Sequence, residues 1–111
     1  MIDPLPILDG HNDTLTRVFP PQDETTRSLV KRDTQGHIDL PRAKEGGLAG
    51  GFFAVFIPGG FARGAITAND GTTLEAGGGE PVDHNTARLQ TDGVLDRMDA
   101  MLESNADRIR L

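Results

Sequence analysis

The sequence of 111 residues contains no cysteine, no tryptophan and no tyrosine. Without thiols there is no disulfide framework, no thiolate zinc site and no cysteine nucleophile, so a bound metal has to be held by imidazole and carboxylate. Positive charge is also scarce. Eleven Lys and Arg stand against 17 Asp and Glu, for a net charge of -6, and no basic cluster is longer than the Lys31-Arg32 pair. That balance lacks the electrostatic footprint of a nucleic-acid or anionic-membrane partner. The longest apolar run, Phe52 to Ile57, is far too short to span a bilayer, and the N-terminus lacks the basic-then-apolar plan of a signal peptide. A soluble, cytoplasmic protein is the expectation. There is no G-x-S-x-G elbow, and neither the G-x-x-x-x-G-K-[ST] nor the G-x-G-x-x-G phosphate-binding pattern occurs.

What is present suits a single modest core, one domain or part of one. Residues 5–11 form a short apolar run that ends in the polar cluster Asp9 to Thr14, which reads as a buried strand emptying into a loop. Residues 15–38 mix charge, Pro20-Pro21 and scattered apolar positions, with a weak helical pattern around Thr26 to Val30, and read as irregular with one or two helical turns. Asp39 is a helix N-cap candidate, followed by Pro41 in the first turn and Gly46 as a stop, so a short helix is predicted there. Gly50 to Pro58 encloses Phe-Phe-Ala-Val-Phe-Ile without alternation, the pattern of a parallel strand covered on both faces. Eleven of the 14 glycines lie between Gly46 and Gly79, making 59–82 a Gly-rich loop within the domain. From Asp83 to Ser104, apolar residues at Ala87, Val94, Met98 and Met101 predict an amphipathic helix. Ile109-Arg110-Leu111 reads as the start of another strand. Strand, helix, strand, helix is the grammar of α/β proteins with parallel strands.

His11 and Asp13 lie two apart at the end of the first predicted strand, where alternation places their side chains on one face together with Asp9. An imidazole and a carboxylate so placed can occupy two positions around one zinc, and strand C-terminal ends are where α/β folds build sites. The same triplet can equally be a turn closed by an Asx-type hydrogen bond. His37-Ile38-Asp39 repeats the spacing, but there Asp39 is better used as a helix cap. His84, beside Asp83 in a first helical turn, reads as a solvated residue, and Met98 and Met101 as core.

The phrase Ile7-Leu8-Asp9-Gly10-His11-Asn12-Asp13, then Gly36-His37-Ile38-Asp39-Leu40-Pro41-Arg42-Ala43-Lys44-Glu45-Gly46-Gly47, then Gly50-Gly51-Phe52-Phe53-Ala54-Val55-Phe56 closely resembles the amino-terminal end of the membrane (renal) dipeptidase family, peptidase family M19. The three motifs occur in the family's order and cover about residues 6–58; the helix near 83–104 fits more loosely, and the 59–82 loop is longer than in familiar members. The resemblance implies a (β/α)8 TIM-type barrel of which this chain supplies about two β/α units, with 1–111 an N-terminal fragment of one metallopeptidase domain. It implies a two-zinc site that hydrolyses dipeptide amide bonds with a metal-bridging hydroxide, and gives His11 and Asp13 as ligands to one zinc. Asp9 and Asn12 become candidates to support those ligands from behind. The family's bridging glutamate, its second-zinc histidines and its other catalytic groups have no counterpart in the sequence, so no catalytic residue other than the metal ligands is expected within this chain. The piece alone is expected to be inactive. Its expected partners are a dipeptide substrate, the remainder of the barrel or a complementing chain, and a second copy in a homodimer. The alternative is an inactive fragment or an interaction module whose H-x-D triplet is purely structural.

Overall fold

The computed structural model describes residues 5–59, 67–69, 73–75 and 80–111. The first strand, β1, runs Ile7–Asn12 and is followed after one residue by a single helical turn, α1, Thr14–Val18. A long irregular connection leads to α2, Leu40–Glu45, and the chain then turns into β2, Leu48–Phe53. The short strands β3, Thr67–Asn69, and β4, Thr73–Glu75, pair antiparallel. A 20-residue helix, α3, His84–Glu103, completes the described elements.

β1 and β2 form a parallel pair in which Ile7 faces Leu48, Leu8 faces Gly50, Asp9 faces Gly51 and Asn12 faces Phe53. Two register irregularities interrupt the ladder, between Ile7 and Leu8 and between Asp9 and Asn12. The second lies at the strand tip that carries Gly10 and His11. Gly47 makes the turn into β2 with φ 76°, a left-handed conformation that costs glycine nothing and a side-chain-bearing residue about 1 kcal/mol.

Local chemistry accounts for the helix starts. The Asp39 carboxylate accepts the Arg42 N–H at 2.9 Å, and Pro41 lies in the first turn of α2, as expected from the sequence. At α3 the Asp83 carboxylate accepts from the backbone of Asn85 and Thr86 at 3.0 and 3.1 Å. Hydrogen bonding from Thr86, with the Asn85 backbone, lowers the Asp83 carboxyl below its ordinary value. The α3 helix thus matches the expectation for 83–104 almost residue for residue, Gly93 included.

The core gathers Leu15, Val18, Phe19, Leu29 and Val94, with Leu40, Phe53, Val55, Met98 and Met101 packed against it. Leu15, Val18 and Phe19 lie three and four residues apart, so one turn of α1 and its C-cap Phe19 turn all three inward. Val94, Met98 and Met101 do the same along α3. Arg97 ties the two together. Its guanidinium donates to the carbonyls of Pro20, Asp23 and Thr25 and lies 6.0 Å from the centre of the Phe19 ring.

Three expectations need correction. The parallel pairing of the first two strands is present, but they are not covered on both sides: Leu8 is 69% and Phe52 67% exposed, because among the described residues no third strand or helix layer lies over them. β2 spans Leu48–Phe53 rather than the whole run to Pro58, since its partner ends at Asn12 and the last ladder bond runs from Ala54 N–H to the Asn12 carbonyl. Ile109–Leu111 is not a strand; the chain after α3 goes through turns closed by Arg108 and Ile109 N–H donating to the Asn105 carbonyl. α1 begins at Thr14 and supplies, at the start of the 15–38 stretch, one of the helical turns expected there. Of the expected 59–82 loop, β3 and β4 are described and 60–66, 70–72 and 76–79 lie outside the described residues.

Candidate functional site

The candidate site is the tip of β1, where the strand hands over to α1. Asp9, His11 and Asn12 belong to the strand, and Asp13 is the residue before the helix. The ladder irregularity between Asp9 and Asn12 breaks the simple alternation on which a shared face was expected. His11 and Asp13 nevertheless meet: His11 Nε2 is 3.4 Å from Asp13 Oδ1, with both side chains about two-thirds exposed.

Asp13 stands where a helix cap would normally spend its carboxylate, yet it makes no side-chain cap bond. The neighbouring Asn12 does that work. Its Oδ1 accepts from Thr14 N–H at 3.1 Å, and its Nδ2 donates to Asp9 Oδ2 at 2.7 Å. The Asx-type bond that would have explained the triplet structurally is therefore made by Asn12, which leaves the Asp13 carboxylate to the imidazole. Asp9 does not buttress His11 directly; it anchors Asn12, and Asn12 fixes the turn from which both side chains project.

The donor pair fits a zinc ion. Two ligands at about 2.0–2.2 Å from a tetrahedral centre lie roughly 3.3–3.5 Å apart, and the observed separation is 3.4 Å. Among the described residues no group of three or more His, Asp or Glu is assembled to hold a metal. The pair by itself offers two donors, fewer than a metal site needs.

His37-Ile38-Asp39 is structural, as expected. Asp39 is fully buried and accepts from Asp33 N–H at 3.0 Å, Arg42 N–H at 2.9 Å and Arg42 Nε at 2.5 Å. Burial alone would raise this carboxyl; the Asp33 and Arg42 N–H groups and the Arg42 guanidinium outweigh it and bring it down from 3.8 to about 2. Arg42 also donates to the Gly36 carbonyl at 2.8 Å, so the ion pair fastens the 33–36 loop onto α2. His84 is exposed at the first position of α3.

Beside Asp13 lies a cavity of about 380 Å³ between α1 and the 27–38 connection. Asp13, Thr16, Arg17, Arg27, Asp33 and His37 contribute to its wall. Residue spacing gave no hint of it, since its walls are brought together by a connection without periodicity.

The fold is a small α/β arrangement, and its strand tip presents an imidazole and a carboxylate of the kind that hydrolases use to hold a metal. Sequence comparison places the chain more closely: it belongs to the membrane dipeptidase family, peptidase family M19, which it matches over residues 1–111. A protein of Acinetobacter calcoaceticus described as "Uncharacterized protein in PQQ-III 3'region" is 40% identical to it over 55 residues, which is 49% of this chain and 18% of that protein. No solved structure matches the chain significantly. Among the described residues no helix is long and apolar enough to cross a membrane.

Proposed function

We propose that this chain is the amino-terminal part of a zinc-dependent dipeptidase, in which His11 and Asp13 hold one of two zinc ions. The observation that carries the reading is the 3.4 Å approach of His11 Nε2 to an Asp13 carboxylate that the helix cap does not use. Zinc in such a site supplies Lewis-acid polarisation of the amide carbonyl and activation of water at neutral pH.

The chain's own residues have defined roles in this reading. His11 and Asp13 serve as ligands and neither donates nor removes a proton during peptide-bond cleavage. Asn12 holds the turn between them through Thr14 N–H, and Asp9 holds Asn12, so the two ligands are fixed in direction from behind. The parallel strands joined through helices correspond to the repeating unit of a (β/α)8 barrel, with the ligands at the strand's C-terminal end. The exposed Leu8 and Phe52 are the surface that the remainder of such a barrel, a complementing chain or a second copy would cover. The substrate is a dipeptide, and neither nucleic acid nor a membrane is a partner. Two ligands are fewer than the three that a catalytic zinc takes from protein, so residues 1–111 alone hydrolyse no dipeptide.

Zinc titration of the purified chain by calorimetry, with metal content measured in parallel, tests the reading. His11→Ala and Asp13→Ala each weaken zinc binding about tenfold or more, whereas His84→Ala leaves it unchanged. Equal zinc affinity in all four proteins would overturn the proposal in favour of a structural H-x-D triplet. Zinc-dependent cleavage of Gly-dipeptides by the 111 residues would overturn the statement about inactivity.

A further inference from the structure

β2 carries adjacent glycines, Gly50 and Gly51, that meet different parts of β1. A Cβ at Gly50 would lie 3.4 Å from Leu8 Cδ1, an ordinary contact with the end of a flexible side chain. A Cβ at Gly51 would lie 3.2 Å from Asp9 Cβ and 3.5 Å from both Asn12 Nδ2 and the Asp9 carbonyl oxygen. Gly47 alone among the described glycines has a positive φ, so backbone angle does not require glycine at 51. Space does, because a Cβ sits on the backbone and has no freedom to swing aside.

That space borders the irregular tip of β1. Between the pairs Asp9–Gly51 and Asn12–Phe53, β1 advances three residues while β2 advances two, so β1 holds one extra residue, a bulge. In a regular strand, residues three apart point to opposite faces. The extra residue brings Asn12 round to the face of Asp9, and Asn12 Nδ2 donates to Asp9 Oδ2 at 2.7 Å. The same carboxamide accepts from Thr14 N–H at 3.1 Å, and His11 and Asp13, on either side of it in the chain, meet at 3.4 Å.

From this arrangement we infer that Gly51 is a positioning residue for the His11–Asp13 pair. The side-chain-free point on β2 admits the bulge and the Asp9–Asn12 brace, and the brace fixes the turn from which the pair projects. Gly51 acts through Asp9 and Asn12, whose atoms are the nearest to it. The inference rests on the reading of His11 and Asp13 as metal ligands and extends their support onto the neighbouring strand. A methyl group at 51 forces Asp9 to give by a few tenths of an ångström, and metal ligands need to be held to within about 0.5 Å.

The test uses the 111-residue chain, kept metal-free with chelator for NMR and titrated with zinc in parallel. Gly51→Ala, Gly50→Ala, Asp9→Gly and the Asp9→Gly/Gly51→Ala double variant are compared, and circular dichroism verifies that each is folded. Gly51→Ala displaces the amide signals of His11 and Asp13 together with the Asn12 carboxamide signals, and weakens zinc binding about three- to tenfold. Gly50→Ala leaves both as they are. Because the two single changes act through one brace, the double variant is no further displaced, and binds zinc no more weakly, than Asp9→Gly. If Gly51→Ala does not fold, the double variant decides, since it lacks the atom nearest the new methyl group: a folded double variant supports the inference and an unfolded one overturns it. Unmoved His11 and Asp13 signals in folded Gly51→Ala, equal displacement by Gly50→Ala, or additive effects in the double variant would also overturn it. Absence of zinc binding by the unaltered chain sinks the metal reading alone, because the metal-free spectra still decide the part played by Gly51.

Discussion

Arg97 offers the sharpest test of how the described fold is held together. Its guanidinium donates from Nη1 to the Asp23 carbonyl at 2.7 Å and the Thr25 carbonyl at 3.4 Å, from Nη2 to the Pro20 carbonyl at 3.1 Å, and from Nε to the Gly93 carbonyl at 2.9 Å. It also stands 6.0 Å from the Phe19 ring centre. In Arg97→Ala the exposed Asp23 and Thr25 carbonyls rehydrate at little cost, while the half-buried Pro20 and Gly93 bonds are worth about 1 kcal/mol each. The lost ring contact adds about 0.5 kcal/mol. The sum is a destabilisation of about 2–3 kcal/mol, which lowers a urea midpoint by roughly 1–2 M for a chain of this size. With no tryptophan or tyrosine to report by fluorescence, far-UV circular dichroism follows the transition. Arg97→Lys recovers only a small part of the loss, because one ammonium does not reproduce a planar fork aimed at several carbonyls. A loss below about 0.5 kcal/mol in Arg97→Ala, the scale of an ordinary surface substitution, would refute this account of what joins α3 to the chain after α1.

Three further outcomes follow from local geometry. Gly93 lies inside α3 with open space where its Cβ would project, so Gly93→Ala stabilises the chain by about 0.5–1 kcal/mol in the same urea assay. Gly47 has φ 76°, so Gly47→Ala destabilises by about 1 kcal/mol and Gly47→Asn by less; equal effects of the two would rule out strain as the cause. The Asp39 carboxyl titrates near 2 in the folded chain against 3.8 ordinarily; its folded value is depressed, so the stability it contributes is complete above about pH 4 and is lost as the pH falls toward 2. Asp39→Asn flattens the thermal-stability profile across that window, and an unaltered slope there would show that another group governs acid unfolding.

The elements that were legible in the sequence are those with a local chemical signature. Asp39 followed by Pro41 announced α2, and the three- and four-residue spacing of Val94, Met98 and Met101 announced α3, because capping and amphipathicity are written within one or two turns of chain. α1 carries the same signature in Leu15, Val18 and Phe19, but five residues are too few for periodicity to stand out, and Pro20-Pro21 just beyond suggested irregular chain. The end of β2 was not legible because it depends on where a distant partner strand ends; nothing local at Phe53 marks it. The burial of Leu8 and Phe52 was over-read for a related reason: apolar composition reports what a strand is suited to, and exposure reports what lies against it. At the candidate site, the proximity of His11 and Asp13 was foreseen. Its route was not, since Asp13 reaches His11 from the start of a helix and not from the strand. Asp9 and Asn12 were named as supports, but their bond to each other was invisible to spacing. The cavity beside them is bounded by a non-periodic connection, and only folding brings Arg17, Arg27 and Thr16 around one space.

The division of labour between Asn12 and Asp13 has a consequence for how such a strand tip can change over time. Because the amide closes the turn and the Asp13 side chain makes no cap bond, replacement of the acid, under its proposed role as a metal ligand, removes chemistry without a penalty in folding. Loss of function at this position is then silent to any quality control that senses only misfolding. Under that proposed role, copies that have shed the acid would persist as well-formed proteins, distinguishable from those that keep it by a single side chain.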